Sequence, residues 1–393
     1  MFTCFICNKK TNLIFTLGEQ PLANKYPKSE EDFNSEIIRK MDVYFCKDCN
    51  YANVPCDVDR LLFFEDYYYL SSVNKELVEH FEDLALYVKK NNFKFVVDVG
   101  SNDGILLNPL RRLGINCVGV DPSENVSAIA NASGLDTIVG FFDIETARVI
   151  ENKYGKPDLI CASSVFTHLN NPGELFEVAN EILSENGKIL IEVEYLGSII
   201  DGLGFERFYF DRPHYYSINC LRLIGEKYGY TLVDASLINI HGGSVRALFS
   251  RRKSLLDNVN VNKIIEEEFE KLNNNIIIDK FKRFAIECNN LIENLQKMKG
   301  AGLKVAAYGC PARFSTITNF SSIGVELLPF VYEDSKLKQG RFSPGKHIPI
   351  IQFSSVEVID VLIVFAYDYI SSIKSKINKN QITYYRPIPF KKL

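Results

Sequence analysis

Phe95-Val-Val-Asp-Val-Gly-Ser-Asn-Asp-Gly104, followed by Cys117-Val-Gly-Val-Asp121-Pro, decides how this chain is read. Each stretch is an apolar run rich in valine that carries an acid, and glycines separate the two, which predicts strand, glycine turn, helix, strand, acid. Gly100 and Gly104 let the backbone turn tightly and approach a ligand with no Cβ in the way. Asp121 then stands where a strand-end carboxylate can accept from both hydroxyls of a ribose. The spacing is Asp98-x-Gly100-x-x-x-Gly104, not the G-x-G-x-x-G of dinucleotide sites, and an acid two residues before the first glycine suits an ammonium group better than a pyrophosphate. A dinucleotide site, or a tight turn inside any doubly wound sheet, remains an alternative for these residues alone.

The acid-x-Gly pattern resembles motif I of class I methyltransferases that use S-adenosylmethionine (SAM). The resemblance implies a cofactor site of Asp98, Gly100, Asn102 and Gly104, with Asp121 at the ribose. Phe142 and Asp143, after the expected third strand, are placed to meet the adenine, and Ser163 ends the next strand on the same rim. Asp143 is equally readable as a solvated loop acid.

The 393 residues are too many for one ordinary core, and three domains are expected. At 46% hydrophobic and 24% charged, the composition is that of a globular protein. A formal net charge of −4 offers no basic field for a nucleic acid. No apolar run is long enough to span a bilayer and no secretory leader is evident, so the expected compartment is the cytoplasm. In that setting the 10 cysteines read as thiols or metal ligands, not disulfides.

Cys4-Phe-Ile-Cys7 and Cys46-Lys-Asp-Cys49 form two C-x-x-C knuckles, and four thiolates make the closed shell of structural zinc. With no open position, the metal would hold the terminal segment together and not activate water. Cys56 stands nearby as a spare.

Helical spacing through Leu77, Phe81, Leu84 and Tyr87 follows the aromatic cluster Tyr67-Tyr68-Tyr69 and Ser71-Ser72. Apolar strands at 159–162 and 188–193 continue the alternation, which predicts a parallel sheet with helices on both faces. Ile277, Phe281, Phe284, Cys288, Leu291 and Leu295 mark a helix with one apolar face, suited to packing on a neighbouring domain or to a short dimer seam. A second α/β unit begins near Leu303, with Lys304-Val-Ala-Ala-Tyr-Gly309, then 327–334, then Val361-Leu-Ile-Val-Phe-Ala366. The expected domains are 1–58, binding zinc; 59–250, binding SAM; 251–299, connecting helices; and 300–393, a Rossmann-like α/β unit.

Chemistry-bearing side chains gather at two places. Ser163-Ser-Val-Phe-Thr-His168 puts His168 on the carboxyl rim of the sheet. Phe205-Glu-Arg-Phe-Tyr-Phe-Asp-Arg-Pro-His-Tyr-Tyr-Ser217, after Glu194-Tyr195-Leu196-Gly197, is expected to be a loop in which Tyr209, Asp211, Arg212 and His214 offer proton transfer and oxyanion contacts. His241-Gly-Gly-Ser-Val-Arg246 adds a glycine turn with a cation, consistent with anion binding or with a hairpin.

With these residues in hand, the chain resembles, over nearly its whole length, the nucleotide-sugar 3-C-methyltransferases of deoxysugar pathways. The resemblance rests on the C-x-x-C pairs with Leu17-Gly-Glu-Gln-Pro-Leu-Ala-Asn24, the 99–104 turn and the 241–246 segment. It extends to Ala307-Tyr-Gly-Cys-Pro-Ala-Arg313 and Lys338-Gln-Gly-Arg-Phe-Ser-Pro-Gly-Lys-His-Ile-Pro349. It implies a zinc domain, a SAM domain and a carboxyl-terminal domain that helps hold a nucleotide sugar. The implied reaction removes the C3 proton of a 4-keto sugar and lets the enolate attack the SAM methyl, with Tyr69, His168 and Tyr209 among the residues that serve it. The chain departs from the family where a Glu-His pair is expected, because Asp211 and Arg212 stand there. Arginine stays protonated and is a clamp, not a base, so base duty passes to His214 or His168. Methylation at O or N of another sugar or small molecule, and a binding protein without catalysis, are the alternatives. The expected partner is a nucleotide-sugar or other small-molecule acceptor, with no nucleic acid and no membrane, in a monomer or homodimer.

Overall fold

The computed structural model describes residues 2–59, 61–64, 70–251, 259–353, 358–377 and 381–393. Tyr69, with Tyr67 and Tyr68, lies outside the described residues.

The expected doubly wound sheet is present. Seven strands run in the order Thr231–Ile238, Ser244–Ser250, Lys188–Glu194, Leu159–Ser163, Phe95–Val99, Asn116–Asp121, Thr137–Val139. The last five pair in parallel, while Ser244–Ser250 is antiparallel to both of its neighbours. Alternate residues of the central strands enter opposite cores. Val97, Ile160 and Ile191 pack on one side, and Val96, Cys161 and Leu190 on the other with Leu84 and Val88 of helix Lys75–Lys90. Burial on both faces explains why these strands read as unbroken apolar runs. Parallel pairing brings every strand's carboxyl end to one edge, where the chain order reverses on either side of Phe95–Val99.

The second α/β unit is a six-stranded sheet ordered Ile350–Ile351, Val331–Tyr332, Val305–Tyr308, Val361–Val364, Thr383–Arg386, Lys391–Lys392, parallel except for its last pair. The strand expected across 327–334 is only Val331–Tyr332.

The terminal segment forms a sheet of Phe2–Thr3, Lys10–Pro21, Ile38–Cys46 and Tyr51–Asn53, completed by His214–Tyr215 from the middle of the chain. The stretch 205–217, expected to be a loop, is thus a buried plug. Phe205, Phe208, Phe210 and Tyr215 are each at most 2% exposed. Phe15 sits at the hub, edge-on to Phe205 at 5.0 Å and Phe208 at 5.1 Å and stacked on Phe281 at 4.7 Å. The apolar face of helix Asn274–Gly300 enters the same core through Ile277, Phe284, Cys288, Leu291 and Leu295, as do Ala307, Val331 and Ile363 of the second sheet. One core therefore holds the terminal sheet, the plug, the long helix and one face of the second α/β unit.

Phe15→Ala is expected to cost about 3 to 5 kcal/mol, the usual loss for a buried phenylalanine, read as a lower melting temperature. The same variant should expose 205–217 to proteolysis; an unchanged melting curve would show that the plug does not depend on this contact.

Candidate active site

The glycine turn is built by close packing as much as by ligand access. Gly100 has φ +73°, and a methyl there would fall 2.8 Å from Val165 Cγ2; Gly104 has φ +83°, and a methyl would fall 2.5 Å from Leu135 Cδ1. Gly104 therefore packs the turn against the neighbouring layer. Asp121 ties the turn to the second strand, its Oδ2 accepting from the Asn102 amide and its Oδ1 from the Ser123 amide, each at 2.9 Å. Ser71 closes over the same loop by donating its amide to Asn102 Oδ1 at 3.1 Å, and Ser72 donates amide and hydroxyl to Asp103 Oδ2. Asp98 lies beneath the turn, 3% exposed, where burial pushes its carboxyl well above the ordinary range and Asp121 and Glu192 add to the shift.

At the end of Lys188–Glu194 stand two carboxylates, Glu192 buried and Glu194 largely so. Burial alone would raise Glu192, but His80 at 2.8 Å, Arg246 at 2.6 Å and Ser163 Oγ at 2.7 Å outweigh it and hold it at about 2. Glu194 is held at about 2 in the same way: burial pushes up, and Arg212, Arg207 and His241 pull down harder. Arg212 donates to Glu194 Oε1 and lies 5.5 Å from the Tyr209 ring centroid. The expected clamp is thus already paired with an acid. Arg207 donates Nη1 to the His241 carbonyl, while its Nε is buried with no hydrogen-bond partner among the described residues.

A cavity of about 650 Å³ opens on this edge. Of the residues expected there, Gly100, Asn102, Phe142, Asp143, Ser163, His168, Tyr209, Asp211 and Arg212 line it. Asp98, Gly104 and Asp121 are set behind the lining formed by Val99, Gly100, Asn102, Val120 and Pro122. Asp143 also caps helix Ile144–Tyr154, its Oδ1 accepting from the Thr146 amide at 2.8 Å.

The histidines separate clearly. His168 Nδ1 lies 2.5 Å from the Asp211 carbonyl oxygen. A carbonyl only accepts, so Nδ1 carries the hydrogen and the neutral ring's lone pair is on Nε2. His214 is not brought to the cavity. It is 5% exposed in the strand that completes the terminal sheet, with Nδ1 on the Tyr51 hydroxyl and Nε2 3.3 Å from the Asn170 carbonyl, so both ring nitrogens are occupied in joining domains. That placement sets His214 apart from the residues that line the cavity.

Sequence reading missed several lining residues: Glu194, Arg207 and His241 on the central domain, and Arg313 and Lys338 on the second α/β unit. Arg313 lies in the first turn of helix Ala312–Phe320, bonds Asp368 at 2.8 Å, and has a buried Nη1 with no hydrogen-bond partner among the described residues. The signal for these was present in the 205–217, 241–246, 307–313 and 338–349 stretches, but their convergence on one space was not.

At the amino terminus the four sulfur atoms of Cys4, Cys7, Cys46 and Cys49 all lie within 4.8 Å of one another. Hydrogen bonds from Cys4 and Cys49 hold the Cys46 thiol down at about 2, and the same contact with Cys46 pushes Cys4 up to about 12. Such a cluster accumulates negative charge only when a cation compensates it, and its donor set suits a divalent metal.

Comparison with known proteins agrees with this layout. A methyltransferase domain family matches residues 69–235, and the C-methyltransferase C-terminal domain family matches residues 239–389. The C-methyltransferase NovU of Streptomyces niveus is 26% identical over 379 residues, covering 93% of this chain and 90% of that protein. A ubiquinone biosynthesis O-methyltransferase of Azorhizobium caulinodans is 27% identical over 123 residues, 31% of this chain and 49% of its own length. Among solved structures, the SAM-bound magnesium protoporphyrin IX methyltransferase of Synechocystis PCC 6803 is similar at TM-score 0.38 and 14% identity, covering 50% of this chain and 100% of that one. With a match to a methyltransferase domain followed by a match to a C-methyltransferase carboxyl-terminal domain, the chain is a SAM-dependent methyltransferase.

Proposed function

We propose that this enzyme methylates carbon on a nucleotide-linked keto sugar, the methyl donor lying over the glycine turn and the acceptor reaching across to the second α/β unit. The observation that carries the reading is the continuity of the cavity. The same space is lined by Gly100, Asn102, Phe142 and Asp143 on one side and by Arg207, Arg313 and Lys338 on the other. SAM supplies an electrophilic methyl on a sulfonium. Asp121 retains lone pairs for ribose hydroxyls beyond its two amide contacts. Burial disfavours Asp98 as an anion, and an ammonium placed beside it would favour the charged form.

At the far side, the guanidinium groups of Arg207 and Arg313, which line the cavity, suit phosphate oxygens, and the start of helix Ala312–Phe320 adds amide donors. The tyrosine, histidine and Asp211 that line the middle of the cavity then face the sugar. Methylation at oxygen is the second reading, supported by the ubiquinone O-methyltransferase relatives. Those likenesses span about a quarter to a third of this chain and less than half of each relative, so they carry less weight than a likeness over nearly the whole chain.

The four-cysteine cluster is proposed to hold structural zinc. All four ligands come from the protein, so the metal would brace the sheet that carries Phe15 and pairs with His214–Tyr215.

Incubation with SAM and a panel of keto and non-keto nucleotide sugars, followed by mass spectrometry, should give a product heavier by one methyl from a keto member; carbon-bound methyl by NMR completes the test. A methyl ether or methyl amine would replace this reading with the second. Asp121→Ala is expected to weaken SAM binding by calorimetry at least tenfold, because each hydrogen bond to a charged group is worth about 1.5 to 3 kcal/mol; unchanged affinity would place the donor elsewhere. The purified protein should carry about one zinc per chain, and chelation should lower its melting temperature. A metal-free protein with the same melting curve would remove zinc from the account.

A further inference from the structure

We propose that His241 is the residue that takes the proton from the acceptor carbon, an assignment that rests on the C-methylation reading above. His241 lines the cavity together with Glu194, Arg212 and Tyr209, and its imidazole makes no hydrogen bond among the described residues, which leaves a ring nitrogen available to an acceptor. Its backbone is held for the purpose. His241 sits at φ +50°, in the left-handed region where few non-glycine residues are found, and its carbonyl accepts from Arg207, whose guanidinium fills the place a side chain at Gly242 would need. The titratable and charged groups facing it are Glu194, Arg212, Arg207 and His80. Burial holds the ring down at about 4, with Arg212, Arg207 and His80 pushing the same way and Glu194 against them. The ring is therefore neutral and able to accept a proton at neutral pH. A phosphate-bearing acceptor seated on Arg207 brings negative charge close by and strengthens the base.

The step balances within these groups. The C–H bond beside the ketone breaks, its proton goes to an imidazole nitrogen of His241, and its electron pair forms an enolate with charge on the former ketone oxygen. That carbon then bonds to the donor methyl, the carbon–sulfur pair returns to sulfur, and the imidazolium releases its proton to solvent.

The test uses the full-length enzyme in deuterium oxide with the keto sugar nucleotide and S-adenosylhomocysteine in place of the donor, so that proton removal is seen by NMR apart from methyl transfer. His241→Asn is the variant of choice, because asparagine tolerates the left-handed backbone. It should lose about 10²- to 10⁴-fold in exchange and in methylation, the usual share of a general base, while SAM affinity and the melting curve stay as in the wild type. Exchange at the wild-type rate in His241→Asn overturns the assignment, as does loss of exchange in His168→Asn or Asp211→Asn with His241→Asn unaffected. A wild-type enzyme that neither exchanges nor methylates any keto sugar overturns the C-methylation reading itself.

Discussion

Two carboxylates removed from water at the end of one strand organise the ligand edge of this enzyme. Glu192 is buried and Glu194 is largely buried at the carboxyl end of Lys188–Glu194, and a charge withdrawn from water persists only when it is paired and hydrogen-bonded. Glu192 draws in His80 from the helix before the sheet, Arg246 from the antiparallel strand and Ser163 from the adjacent strand end. Glu194 draws in Arg212 from the plug, with Arg207 and His241 close by. Removing either carboxylate would strand cations contributed by several different elements, so the cavity wall is fixed as a unit.

The plug at 205–217 links that charge system to the rest of the chain. Its phenylalanines enter the core shared by the terminal sheet, the long helix and the second α/β unit, while Tyr209, Asp211 and Arg212 turn to the cavity. The terminal sheet thus acts on the site at a distance. It packs Phe15 beneath the plug, pairs with His214–Tyr215 and contributes Asn24 Nδ2 to Asp211 Oδ2 at 3.2 Å. A metal that braces this sheet would steady the active site without approaching the reaction.

Much of the fold was legible because strand and turn signals are local. Valine-rich runs buried on both faces, glycines at positive φ and an acid at a strand end each leave a mark within a few residues. The cysteine pairs were legible for the same reason, since each half of the cluster is a short knuckle. The setting of His214 was not legible: its neighbourhood in sequence is rich in reactive side chains, yet its strand pairs with the terminal sheet and its ring bonds Tyr51. His241 was passed over because its stretch reads as a glycine hairpin, and nothing nearby in sequence announces Glu194 or Arg212 as its neighbours.

The sequence by itself determined the doubly wound sheet, the glycine turn with its strand-end acid and the clustering of four thiols, because each follows from residue type and short-range spacing. Only the tertiary structure decided which polar side chains share the cavity. That choice depends on partners for buried charge that lie far apart in the chain, 54 positions between Glu192 and Arg246 and 112 between Glu192 and His80, and on which face of the plug the shared core absorbs. Such pairings are set by desolvation and packing across the whole chain, which no local pattern encodes.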